Sequence, residues 1–246
     1  MAEPTRRGIA AAVVLALGIA ASGWFVGSGL AKFRTAERLV TVKGISEREV
    51  RADIAIWPLH IVGSDDDLTR AHTQVETSRR EIQNFLERQG IDPAQTHVQS
   101  YSVTDALANP YGSPQEAANR YVIRQTLIVR SREPDKVMAA SASVGELVRA
   151  GVVLTSGSEY QAGGPTFLFT GLNALKPEMI AEATSRARQA AEQFARDSGA
   201  HIGGIHRANQ GLFEILPRDK TEGITEENQL EKVVRVVATI EYQLRD

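Results

Sequence analysis

The stretch LVTVKGISEREVRADIAIWPLHIV, residues 39–62, decides how this chain folds. Its first run, Leu39-Val40-Thr41-Val42, is rich in β-branched residues and stops at Gly44, which predicts a strand. The second run, Val50 to Val62, puts Ile54 and Ile56 on one face and Ala55, Trp57, Leu59 and Ile61 on the other. A strand that is apolar on both faces is buried between layers or covered by a partner. Pro58 has no N–H to give to a ladder, so an edge position or a bulge is expected there. The polar residues between the two runs read as their connection.

Downstream, Ser64-Asp65-Asp66-Asp67 supplies acceptor side chains and negative charge for a helix start. Leu68, Ala71, Val75, Ile82, Phe85 and Leu86 then form one apolar stripe that ends at Gly90. Strands are expected at Val98–Val103 and Arg120–Ser131, divided by a loop over 105–119. A second helix is expected from about Pro134 to Ala150, and short strands at Val152–Thr155 and Thr166–Thr170. A third helix has Pro177 near its first turn and an alanine-rich face ending at Gly199. Ile205–Ile215 and Leu230–Leu244 read as strands around an exposed polar loop, Leu216–Asn228. Strand, helix, strand, strand thus occurs from Val50 to Ser131 and again from Thr166 to Leu244. This order predicts an α+β fold, antiparallel sheets packed with helices in two related halves.

Upstream, Gly8 to Leu30 is free of charge and, as a helix, would be roughly 34 Å long. It reads as a transmembrane helix preceding the domain. The expected divisions are a cytoplasmic N-terminus at 1–7, an anchor or signal segment at 8–30, a linker at 31–38 and one domain at 39–246. Cleavage near Ala20-Ala21-Ser22 is the competing reading, but Trp24 and Phe25 continue the apolar run past that point. Gly23 and Gly27 are four apart, a spacing that lets membrane helices pack closely. Either reading directs the rest of the chain across a membrane, and the anchor reading implies a single pass in the inner (cytoplasmic) membrane with the domain in the periplasm or outside the cell.

The net charge of −2 argues against a nucleic-acid partner. With no cysteine and only Met1, Met138 and Met179, disulfides, thiolate metal sites and sulfur redox chemistry are excluded or nearly so.

Several stretches in order resemble the SIMPL-domain family, a domain of unknown function. They are VTVKGISEREVRADIA, GIDPAQTHVQSYSV, RYVIRQTLIVRSREPDKV, MIAEATSRARQAAEQFARDSGAHIGGI and VRVVATIEYQL. The resemblance spans about Leu39 to Leu244; Ala52 stands where the family often has proline. It implies a secreted or envelope-anchored α+β domain associated with oxidative or envelope stress, and it carries over no catalytic residue.

No metalloprotease pair, nucleophile elbow, Walker loop or dinucleotide fingerprint is present. His201 and His206 flank a Gly-Gly pair, Gly157–Gly164 reads as a turn, and Asp65–Asp67 reads as a helix cap. Asp53 is read as a strand-end hydrogen-bond acceptor. No cofactor and no metal is expected. The leading expectation is a non-enzymatic, membrane-anchored envelope protein that self-associates as a scaffold or binding module, with Trp57, Leu59 and Ile61 as the candidate self-association surface. The alternatives are an enzyme with a dispersed site and an oligomeric membrane-associated ring or conduit.

Overall fold

The structure, a computed structural model, describes residues 18–20, 22–24, 38–108, 119–155 and 163–246. Its strands are β1 (Leu39–Arg51), β2 (Ile54–Asp65), β3 (Thr96–Asp105), β4 (Tyr121–Ser131), β5 (Leu154–Thr155), β6 (Thr166–Leu168), β7 (His201–Gln210), β8 (Glu214–Pro217) and β9 (Glu231–Arg245). Its longer helices are α1 (Leu68–Arg88), α2 (Pro134–Ala142), α3 (Gly145–Arg149) and α4 (Leu172–Asp197). One sheet has the order β3-β4-β2-β5 with β6 also on β2; the other has β1-β9-β7 with β8 also on β9. We call them the β4 sheet and the β9 sheet.

β2 pairs antiparallel with β4 from Ala55↔Ser131 to Asp65↔Tyr121. On its other edge β6 pairs at residues 54–56 and β5 at 60–61. Residues 57–59 lie between those two ladders. Pro58, which cannot donate, occupies the middle of that gap, so the proline marks an interrupted edge of an otherwise internal strand.

The odd-numbered residues of β2 form the core. Ala55, Trp57, Leu59 and Ile61 bury with Val75, Ile82, Phe85 and Leu86 of α1, and with Ile123, Leu127 and Val129 of β4. α1 lies against β2 and β4. Asp67 caps it, its carboxylate accepting from the Arg70 amide at 2.9 Å. Gly63 permits the close approach: a Cβ there would lie 2.6 Å from the Ala71 carbonyl oxygen. Gly90, at φ +74°, turns the chain out of α1.

Two compact units divide the chain: residues 1–44, 185–209 and 239–246, and residues 45–184 and 210–238. In the first, the Leu244 amide donates to the Arg38 carbonyl and Thr41 Oγ1 meets Glu241. In the second, Arg235 meets Glu47 and Arg51 meets Glu231. In each, the partners run in opposite order, so β1 and β9 are antiparallel.

Several expectations are corrected. Residues 44–49 do not form a connection: β1 runs unbroken for 13 residues. Its polar residues alternate, with Glu47 and Glu49 exposed and Ser46 buried, where its hydroxyl donates to Glu182 Oε2 at 2.7 Å. The second helix breaks into α2 and α3 at Ser143-Val144, where turn hydrogen bonds replace the helical ladder. α4 begins five residues before Pro177, which lies inside it. The strand expected at Ile205–Ile215 is two strands, β7 and β8. The exposed loop over 216–228 holds a short 3-10 turn, Glu226–Asn228, tied to the fully buried Lys232, whose Nζ lies 2.6 Å from Glu226 Oε1.

The expected repeat of halves is corrected at the strand that opens the second one. β2-α1-β3-β4 builds the first half, but β6, expected to open the second, pairs with β2. β1 takes its place, so the sheet orders β3-β4-β2 and β7-β9-β1 correspond.

The transmembrane helix expected over 8–30 lies mostly outside the described residues. Residues 18–20 and 22–24 are helical, segments of three residues each. The expected fold is corrected to an α+β fold with antiparallel sheets in which, among the described residues, no helix is long and apolar enough to cross a membrane. Gly23 has open space around it, and Gly27 lies outside the described residues.

Candidate functional site

The candidate site is an open strand edge rather than a cleft. β3 pairs with β4 along one edge, from Thr96↔Val129 to Asp105↔Tyr121, with a bulge between Val98 and Ser100. No strand pairs with its other edge among the described residues. From Thr96 to Thr104, THVQSYSVT, the strand has no Asp, Glu, Lys, Arg or Pro. Sheet edges are usually blunted by such residues, and an uncharged edge invites a further strand.

The register places Val98, Tyr101 and Val103 on the core-facing side, opposite Leu127, Gln125 and Ile123. α1 covers β2 and β4 but leaves this strip open. Val98, Tyr101 and Val103 are 54%, 43% and 49% exposed, and the His72 ring of α1 lies beside Tyr101. Apolar side chains and an unpaired backbone edge therefore occur together.

The surface expected at Trp57, Leu59 and Ile61 is corrected. These residues are 1%, 3% and 0% exposed, because α1 covers the face of β2 on which they lie. The face that β2 turns away from α1 carries Ile54, Ile56, Pro58, His60 and Val62, all half-buried, and His60 Nδ1 shares a 2.9 Å hydrogen bond with Thr126. The strand expected at Val98–Val103 is β3, but its edge escaped the sequence reading because its apolar residues are few and spaced by a bulge; the absence of charge over nine residues was the available signal.

The residues weighed for chemistry are occupied structurally. Asp53 accepts from the Thr170 amide and hydroxyl, the latter at 2.8 Å, tying the β2 start to the α4 entry. Asp65 binds Arg70 at 2.6 Å, and this hydrogen bond, with one from the Asp67 amide, holds its carboxyl below the usual carboxylate range. Asp66 accepts from the Arg120 amide. Asp105 pairs with Arg120 at 3.1 Å and is likewise held low. His201 and His206 are five apart on one strand, which sends their side chains to opposite faces. Most of Gly157–Gly164 lies outside the described residues.

A family model described as SIMPL, protein of unknown function (DUF541), matches residues 40–238. The chain belongs to the SIMPL family. No curated protein matches this SIMPL chain. The crystal structure of an uncharacterized conserved protein from Listeria innocua aligns with 84% of it, and with 95% of that protein's own chain, at 12% identity and a TM-score of 0.21. So low a score carries no weight for the fold.

Proposed function

We propose that this SIMPL protein is a non-enzymatic assembly module whose copies associate through the free edge of β3. The observation that carries this reading is the uncharged, unpaired edge with Val98, Tyr101 and Val103 exposed beside it. With the bulge counted as one position, a two-fold axis at Tyr101 would set Val98 of one copy opposite Val103 of the second, making the strand complementary to itself. The structural use of Asp53, Asp65, Asp66 and Asp105 supports a binding rather than a catalytic role. The uncharged run at 8–30 supports placing the assembly in the cell envelope. A protective role in stress would then be indirect, exerted by the assembly on its partners.

Sedimentation of the full chain in detergent tests the reading. A dimer or higher species that becomes monomeric in Val98→Lys/Val103→Lys is the expected result. A wild-type monomer at tens of micromolar, or an assembly indifferent to both lysines, overturns it.

A further inference from the structure

The flank of α1 turned away from β3 holds a second feature. An open cavity of about 420 Å³ lies there, between Thr73, Gln74, Thr77 and Ser78 of α1 and the start of β5, where Gly151 and Val153 line it. β3 and β5 stand at opposite ends of the sheet order, and Thr73 is about 100° around the helix from His72, which lies beside Tyr101. The Val62 amide, on β2, donates to the Val153 carbonyl at 3.3 Å and holds this side of the cavity together. The volume is in the range of small-molecule sites.

Ser78 points to a ligand. The residue is 8% exposed, and its hydroxyl has no hydrogen-bond partner among the described residues. A mid-helix hydroxyl commonly returns to the carbonyl four residues back, as Thr73 does to Thr69 at 2.8 Å; Ser78 leaves that bond unmade. Its oxygen is not sealed in either. The enclosed side-chain atoms without a partner, among the described residues, are Gln95 Oε1, Thr96 Oγ1, Gln125 Oε1 and Arg235 Nε, so the Ser78 hydroxyl opens on the cavity that it lines. A largely buried hydroxyl without a partner is unfavourable, and a ligand that pairs with it relieves that cost. The rest of the lining sets the ligand's chemistry. No lining residue is charged, so an ion would lose hydration there and meet no counter-charge. Thr73 keeps lone pairs to accept, and Thr77, which accepts from Arg80 at 3.4 Å, keeps its O–H to donate. Gln74 spends its Oε1 on the Ser64 amide at 3.1 Å and keeps its NH2 to donate. A group that both donates and accepts meets this mixture, and a hydroxyl is such a group.

We propose that this cavity binds an uncharged polyol of monosaccharide size, with the Ser78 hydroxyl as its buried contact and Thr73, Gln74 and Thr77 along its rim. The site stands apart from the β3 edge and does not depend on self-association.

Methyl glucoside and N-acetylglucosamine are the probes, titrated separately into the full chain in a sugar-free detergent at pH 7, with backbone amide NMR shifts as the readout. Saturable shifts at Thr73, Ser78, Gly151 and Val153 are expected within tens of millimolar, with anionic gluconate at least tenfold weaker. Saturation by methyl glucoside would assign the site to hydroxyls alone; saturation by N-acetylglucosamine only would add an acetamide to what it recognises. Ser78→Ala should weaken binding at least fivefold and leave the unfolding temperature of the sugar-free protein unchanged or raised, because it removes an unpaired hydroxyl. Thr77→Trp, whose ring would fill the cavity, should abolish binding, and unchanged thermal unfolding of that variant separates lost binding from lost folding. His72→Gln, on the other flank of α1, should change binding less than twofold. Val98→Lys/Val103→Lys should bind as the wild type does, so a failure here and a failure of the assembly reading are told apart. No saturation by either probe, equal binding of gluconate, an unaffected Ser78→Ala, or a clear fall in its unfolding temperature overturns the proposal.

Discussion

α1 and α4 occupy corresponding places in the two halves, yet they bury different kinds of side chain. α1 buries Val75, Ile82, Phe85 and Leu86, and only Ala71 and Ser78 are small. α4 buries Met179 and then Ala183, Ala187, Ala191 and Ala195. Polar partners accompany the alanines: Glu182 accepts from Ser46, and Glu178 pairs with Arg48 at 2.6 Å. The β4 half is held by the volume of its core, so deleting side chains should hurt it most. The α4 face depends on smallness, so adding volume should hurt it most.

The comparison is broken most severely by Phe85→Ala. It should lower stability by about 3–5 kcal/mol, the usual range for removing a buried aromatic ring, in urea unfolding followed by circular dichroism. Ala187→Leu reverses the direction of the error and should lower stability by about 1–3 kcal/mol through overpacking. If Ala187→Leu proved neutral, α4 would have slack that its buried alanines deny. Gly63→Ala belongs to the same class within the β4 half, because its Cβ would meet the Ala71 carbonyl oxygen of α1; about 1–3 kcal/mol is expected.

A smaller effect sharpens the contrast between edges. β7 is the corresponding edge of the β9 sheet, and it carries Arg207 and the Gly203-Gly204 pair. Val98→Lys on β3 and Ile205→Lys on β7 both replace exposed residues and should each change stability by less than about 0.5 kcal/mol. Only Val98→Lys should shift the sedimentation coefficient. The smallest effect is electrostatic. Arg70 holds the Asp65 carboxyl lower in the folded chain than its unfolded value near 3.8. The resulting stabilisation is complete above that value and is lost as pH falls through the folded one. Asp65→Asn should therefore be slightly destabilising at pH 7 and indistinguishable from the wild type in strong acid.

Much of this architecture was legible where local rules and tertiary demands agree. The Asp67 cap, the α1 stripe and Gly90 placed the first helix within two residues, and Pro58 pointed to the gap in β2 pairing. The reading failed where a distant partner decides. Residues 44–49 looked like a connection because Ser46 and Arg48 are polar, yet Glu182 and Glu178, 136 and 130 positions away, form hydrogen bonds with those side chains. Trp57 looked available for association because a strand apolar on both faces does not reveal which face a helix will cover. The cavity at Ser78 was invisible for the same reason: Gly151 and Val153 share it with α1 only through the β2–β5 pairing.

β1 has a consequence for the order of events during synthesis. Its partner is β9, and Thr41 must wait for Glu241, 200 positions later. Every strand and helix of the β4 half is made in between, with local connections that favour early closure. β1 is thus expected to emerge first and dock last, exposed for the whole interval as an unpaired ribbon with Val40, Val42 and Ile45 uncovered. Holdase chaperones recognise such ribbons, and in ribosome-arrested chains ending before residue 231, β1 should remain protease-sensitive while β2, α1, β3 and β4 are already protected.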